Sequence, residues 1–194
     1  MRACVKWGGV VSEFFNVKSG CAQGSILGPK LFNLVLDKLL VDIERKHLGC
    51  FVGTCFAGAF AYADDIILLS SSASQLQRML ALCDNFGSGC DLLFNAKKSY
   101  CGLVGSLVGH TFPTFKLGDY QLPRTDHLLY LGVNFELGSK LNVDYSLRSR
   151  KFLACVCCVL RNKVVGYEDV FANILVKKCL PVLYYGLDCM EHFI

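Results

Sequence analysis

Ala59-Phe60-Ala61-Tyr62-Ala63-Asp64-Asp65-Ile66-Ile67-Leu68-Leu69 is the stretch on which the fold turns. Two adjacent carboxylates separate two short apolar runs rich in aromatic and β-branched residues. That is the pattern of a strand, a tight turn and a second strand. Both flanks read as buried, and a carboxylate in such a place needs compensation, because an unpaired charge away from water is costly. A hard divalent cation supplies it, since Mg²⁺ takes oxygen ligands in near-octahedral geometry. The other reading of the same residues is an acidic hairpin turn with both side chains in water.

Upstream, positions 3–7 and 13–17 read as a hairpin around Gly8-Gly9, followed by a Gly/Ser-rich loop over 18–28. Pro29 opens a helix running to about His47, as suits a proline in a first helical turn. Its apolar stripe is Leu31, Leu34, Val35 and Leu39. Two strands, at about 50–55 and 59–62, then lead to the aspartates. Downstream, Ser72-Ala73-Ser74-Gln75 has the form of a capping box. It opens a helix with one buried face at Leu76, Met79, Leu80, Cys83 and Phe86, stopped by Gly87 and Gly89. Short strands are expected at 92–94, 100–104, 115–117, 120–122 and 128–135, with Gly118-Asp119 as a turn. The pattern then becomes helical over 143–163 and 167–178, with a last apolar piece after Pro181. Interleaved strands and helices with an all-helical end predict an α+β fold: a sheet backed by helices, then a small helical unit.

The chain has 194 residues, 53% of them hydrophobic and 19% charged, which excludes a disordered tail. A mean hydropathy of +0.41 raises the question of a membrane span. The charge-free stretch 48–63 is only 16 residues long and contains Gly49, Gly53 and Gly58. A span needs about 20 mostly apolar residues, so it reads as buried strands. Arg2, Lys6 and Gly8-Gly9 leave no apolar signal core at the start, so an intracellular protein is expected. The twelve cysteines are scattered and mostly flanked by apolar residues, as reduced core cysteines are. Cys155-x-x-Cys158 lacks a closely spaced second pair, so zinc is not expected. Between Lys140 and Lys163 six basic residues face one acid, Asp144. That charge is either a solvated helix face or a surface for phosphates.

Tyr62-Ala63-Asp64-Asp65 resembles the YADD box of reverse transcriptases, in particular those of non-LTR (LINE-type) retrotransposons. Gly20-Cys21-Ala22-Gln23-Gly24-Ser25-Ile26-Leu27-Gly28-Pro29 resembles that family's G-x-x-Q-G-S-x-L-S-P loop, and Leu31-Phe32-Asn33-Leu34-Val35-Leu36-Asp37 its L-F-N-L-Y-L-D helix start. Asn95-Ala96-Lys97-Lys98-Ser99 resembles the N-x-x-K-[ST] box, Tyr130-Leu131-Gly132-Val133 the YLGV hairpin, and residues 180–186 a stretch of the helical thumb. The matches follow family order over nearly the whole chain.

The resemblance implies a polymerase palm-type antiparallel sheet backed by helices over 1–138 and a helical thumb over 139–194. Asp64 and Asp65 would hold catalytic Mg²⁺ (or Mn²⁺). Gln23, Gly24, Tyr62 and Ala63 would line the nascent base pair and template. Asn95 and Lys98 would sit near the incoming dNTP, and Leu131 and Gly132 in the primer grip. Arg148, Arg150, Lys151, Arg161 and Lys163 would track the backbone of an RNA template and DNA primer. The chain departs from the family where the fingers and a further upstream carboxylate motif are expected. Two-metal phosphoryl transfer needs ligands around both ions, so the expected function is a part of an RNA-directed DNA polymerase, inactive alone. An exposed palm edge would make it prone to association. The alternatives are a non-catalytic nucleic-acid-binding module and a non-functional retroelement remnant.

Overall fold

The computed structural model describes residues 2–17, 20, 24–105, 113–161 and 168–187. The expectations for Gln23, Lys163 and the adjoining parts of their segments lie outside the described residues. The chain divides into two units, one from the described residues of 1–99 and 113–122, the other from those of 100–112 and 123–194. Both contain antiparallel strands and helices, so the fold is α+β. Among the described residues the strands form five two-stranded ladders and one three-stranded sheet.

The first unit opens with a long hairpin. β1 (Arg2–Ala3) pairs with β4 (Phe15–Asn16), and β2 (Lys6–Trp7) pairs with β3 (Val10–Val11) around Gly8-Gly9. Between the two ladders Ser12 takes over: its Oγ accepts the Val5 N–H at 2.9 Å and its own N–H reaches the Val5 carbonyl.

α1 (Gly28–Arg45) starts with Pro29 in its first turn. Its buried face is Leu36, Leu39 and Ile43, at helical spacing. Leu31 and Leu34, expected in the stripe, are 58% and 64% exposed. The helix turns its later residues inward against α2 (Ala73–Gly89) and β7 (Ala59–Tyr62). α1 ends in a Schellman motif: His47 at φ 50° donates to the Glu44 carbonyl and Leu48 to that of Ile43, and Leu48 is buried.

Residues 50–55, expected as one strand, form a small hairpin of β5 (Phe51–Val52) and β6 (Cys55–Phe56). Gly53, at φ 61°, supplies the turn. β7 and β8 (Asp65–Leu68) then pair over four residues, as the sequence predicts. Gly49 and Gly58 cross at the base of this hairpin so closely that a Cβ on Gly49 would lie 2.8 Å from the Gly58 Cα.

α2 buries Met79, Leu80, Cys83 and Gly87. Its capping box is not made. Ser72 Oγ pairs with Ser74 Oγ, and Gln75 instead accepts the Gly49 N–H. Gly87 lies inside the helix, because Asp91 at φ 53° provides the left-handed stop and Leu92 N–H reaches the Gly87 carbonyl. Residues 92–94 are not a strand, and a 3₁₀ turn follows at Ala96–Lys98. β9 (Lys116–Leu117) and β10 (Tyr120–Gln121) form the hairpin expected around Gly118-Asp119. Gln77 on α2 acts as a strand for it: the amide donates to the Lys116 carbonyl and accepts its N–H, both at 2.9 Å.

In the second unit β11 (His127–Tyr130), β12 (Val133–Leu137) and β13 (Leu141–Asp144) form the three-stranded sheet. The expected strand 128–135 is therefore a hairpin, and 141–144 is a strand rather than a helix start. Residues 100–104 contribute a single bridge, Cys101 to Arg124. α3 (Ser146–Arg161) begins where Asp144 accepts the Ser146 N–H at 2.8 Å. α4 (Glu168–Ile174) passes through a π-helical turn, Leu175–Cys179, into α5 (Leu180–Tyr184). The wide turn directly precedes Pro181, whose ring and missing N–H disrupt regular helix four residues back.

Candidate functional site

Asp64 and Asp65 sit at the tip of the β7–β8 hairpin. Tyr62 faces Asp65 across the ladder, so Ala63 and Asp64 form a two-residue loop. Such loops demand a positive φ, usually given to Gly or Asn. Here Ala63 takes it, at φ 53°. Both carboxylates, and Tyr62 beside them, are exposed. The flanks are not fully buried as the sequence reading had it: Phe60 is half exposed and Ala59 partly covered. A two-stranded ribbon leaves one face open. The charges are therefore solvated, and neither forms an ion pair among the described residues.

Asp64 also lines a concavity of about 260 Å³ with Phe32, Leu36, Ile66, Leu92, Leu93 and Phe94. α1 supplies Phe32 and Leu36, and the Schellman stop of α2 delivers residues 92–94. Asp64 thus stands, exposed, at the edge of an apolar hollow. The two aspartates offer hard oxygen donors of the type Mg²⁺ accepts, and Mg²⁺ is often held by one or two carboxylates completed by water and substrate phosphate. Among the described residues no third His, Cys, Asp or Glu joins them in a group that could hold a metal ion. The donor type fits the ion, and among the described residues Asp64 and Asp65 are the donors that would hold it.

Asn95 and Lys98 bracket the 3₁₀ turn, both exposed. The Asn95 carbonyl accepts the Lys98 N–H and the Ser99 hydroxyl, which fixes the turn and leaves the Asn95 amide and the Lys98 ammonium outward. Gly24 is in the left-handed region at φ 81°, with open space where a Cβ would lie.

In the second unit Leu131 and Gly132 are the two central residues of the β11–β12 turn, at φ 46° and 76°. Two positive φ values define a type I′ turn, unusual for Leu. Both carbonyls of that turn are held. Tyr185 Oη donates to Leu131 O at 2.8 Å, and Arg148 donates to Gly132 O. The Arg148 guanidinium also lies 4.4 Å from the centre of the Tyr185 ring, within cation–π range. Arg148 and Tyr185 form a clamp that sequence reading missed; the only hint was an aromatic pair, Tyr184-Tyr185, inside the apolar piece after Pro181. Arg150 reaches back to Ser146, while Lys151 and Arg161 are exposed. Arg150 and Arg161 fall eleven residues apart, so they share one face of α3.

Hydrogen bonds from Ser146 hold the Asp144 carboxyl below its usual range. Burial pushes the Cys83 thiol up to about 12 and the Cys101 thiol up to about 11. Cys4, Cys55, Cys90, Cys157 and Cys158 are exposed, so the expectation of core cysteines holds for Cys83, Cys101 and Cys179 but not for these. Among the described residues no helix is long and apolar enough to cross a membrane.

Residues 2–135 match the family described as reverse transcriptase (RNA-dependent DNA polymerase). The chain is 36% identical over 132 residues to the retrovirus-related Pol polyprotein from type-2 retrotransposable element R2DM of Drosophila melanogaster, an alignment over 64% of this chain and 12% of that protein. A Pol polyprotein from retrotransposable element R2 of Popillia japonica is 34% identical over 89% of this chain and 24% of its own length. One from element R1 of Bradysia coprophila is 27% identical over 91% of this chain and 17% of its own length. The chain thus spans a quarter or less of each of these relatives. With an acidic hairpin tip beside an apolar hollow and a match over residues 2–135, the chain belongs to the reverse transcriptase family, as a part of the reverse transcriptase region of non-LTR (LINE-type) retrotransposon Pol proteins.

Proposed function

We propose that this chain carries the catalytic carboxylates and the primer-positioning elements of an RNA-directed DNA polymerase, with a palm over 1–138 and a thumb over 139–194, and that it does not polymerise alone. The observation that carries the reading is Asp64-Asp65 at a two-residue turn, with Asp64 lining the hollow together with Phe32 and Leu36. Asp64 and Asp65 would hold Mg²⁺ (or Mn²⁺), which when bound activates a primer 3′ hydroxyl and neutralises charge on the transferred phosphoryl group. Tyr62, Ala63, Gln23 and Gly24 would line the template and nascent pair. Asn95 and Lys98 would face the triphosphate of the dNTP, the ammonium offsetting phosphate charge. Leu131 and Gly132 would seat the primer, their turn made stiff by Tyr185 and Arg148.

Two carboxylates without a third ligand among the described residues are the reason for expecting inactivity. The test is primer extension on poly(rA)·oligo(dT) with Mg²⁺ or Mn²⁺. The expected result is no incorporation above a protein-free blank. Robust incorporation by the chain that Asp64→Ala abolishes would refute the inactivity and leave the site assignment standing.

A second reading, binding without chemistry, draws on the exposed Arg150, Lys151 and Arg161 of α3. It expects an RNA–DNA hybrid to bind with an affinity that falls steeply with salt. Asp64→Ala should leave that affinity unchanged, whereas Lys151→Ala with Arg161→Ala should weaken it and flatten the salt slope. Association through the open edges of the β1–β4 hairpin belongs to this proposal too.

A further inference from the structure

The second unit holds a pair of thiols that the polymerase reading does not use. Cys155, half-buried on α3, and Cys179, fully buried in the π-helical turn before α5, bring their sulfurs to 3.6 Å across 24 residues of sequence. The contact is a thiol hydrogen bond. A disulfide needs the sulfurs about 1.5 Å nearer, at about 2.05 Å.

We propose that Cys155 and Cys179 are a redox-modification site, oxidised to an intramolecular disulfide by small disulfides of the glutathione type. Cys155 is the accessible partner and reacts first. Its thiolate attacks one sulfur of the oxidant, forming a mixed disulfide and expelling one thiolate of the reagent. Cys179 then attacks the Cys155 sulfur and expels the second thiolate, which takes up the Cys179 proton. Two thiols are oxidised and one disulfide is reduced to two thiols, so electrons balance. Burial and the neighbouring Cys155 raise the Cys179 thiol above its ordinary range, which slows its own attack on a reagent and leaves the first step to Cys155. The bond would fasten α3 to the segment leading into α5. Arg148 lies two turns before Cys155 and Tyr185 lies six residues after Cys179, so the fastened helices are those that clamp the Leu131–Gly132 turn. The inference does not rest on the polymerase reading.

The experiment exposes the full chain to oxidised glutathione, blocks remaining thiols by alkylation, and maps disulfides by mass spectrometry after proteolysis. The expected result is a peptide pair joined through Cys155 and Cys179, two hydrogens lighter than the two reduced peptides together. That link should survive Cys157→Ser with Cys158→Ser, vanish in Cys155→Ser, and raise the urea midpoint reversibly with reductant. Persistence of the link in Cys155→Ser would overturn the proposal. So would a Cys179 that stays reduced while Cys157 becomes glutathionylated.

Discussion

Gly49→Ala tests whether the Gly49–Gly58 crossing holds the acidic hairpin in place. Gly49 has φ 97°, and a Cβ there would meet the Gly58 Cα at 2.8 Å, the Leu69 carbonyl at 2.9 Å and the Met79 Cε at 3.1 Å. Two of those atoms are backbone and cannot rotate away. A left-handed φ costs an L-residue roughly 1–2 kcal/mol. Forcing an extra carbon into a filled space costs roughly 1–3 kcal/mol more. The sum is about 2–5 kcal/mol, a large share of the stability of an ordinary domain. Gly53→Ala is the control, because Gly53 has φ 61° with nothing within 4 Å of a Cβ. It bears the first cost alone. Urea titration followed by circular dichroism gives the global loss. Hydrogen exchange at the Leu69 amide, bonded to Gly58 O at 2.7 Å, gives the local one. A loss of about 2 kcal/mol speeds exchange roughly 30-fold. If Gly49→Ala destabilises no more than Gly53→Ala, the close crossing is not what fixes this hairpin.

Two further outcomes follow from the second unit. Tyr185→Phe removes the donor to Leu131 O and should cost about 0.5–1.5 kcal/mol. Arg148→Ala should cost more, because it frees the Gly132 carbonyl and loses the ring contact. Both should raise amide exchange at Val133, and exchange left unchanged would remove the clamp from the account. Asp144 has its carboxyl lowered by Ser146, so the folded state favours the charged form. Its contribution is present above the ordinary value of 3.8 and is lost as pH falls through the lower folded value. Helicity of α3 should therefore drop in acid below pH 3.8 in the wild type. Asp144→Asn should lack that part of the acid dependence, and equal acid curves would count against the cap.

The sequence was readable where one local signal decided the outcome. The pairing of β7 with β8, the turn at Gly118-Asp119 and Pro29 at the head of α1 all follow from residue type and spacing. It misled where two partners competed. Ser72 and Gln75 have capping spacing, but Gln75 is taken by the Gly49 N–H, a tertiary contact no window of four residues reveals. Leu31 and Leu34 fit a helical stripe as well as Leu36 and Ile43 do; which side faces inward depends on α2 and β7. Gly87 and Gly89 read as stops, yet Asp91 accepted the left-handed conformation instead. At the site, the motif located the acidic tip. Its exposure, the hollow beside Asp64, and the clamp of Arg148 with Tyr185 on Gly132 are products of folding.

The first hairpin has an optical consequence. Trp7, the single tryptophan of the chain, is 85% exposed, with Val10 73% exposed beside it across the ladder. Its indole emission should resemble that of the free amino acid in water, red-shifted and open to iodide quenching. Any molecule that settles on this ribbon would dehydrate the ring and shift the emission to the blue, so the protein carries an intrinsic fluorophore for whatever covers that surface.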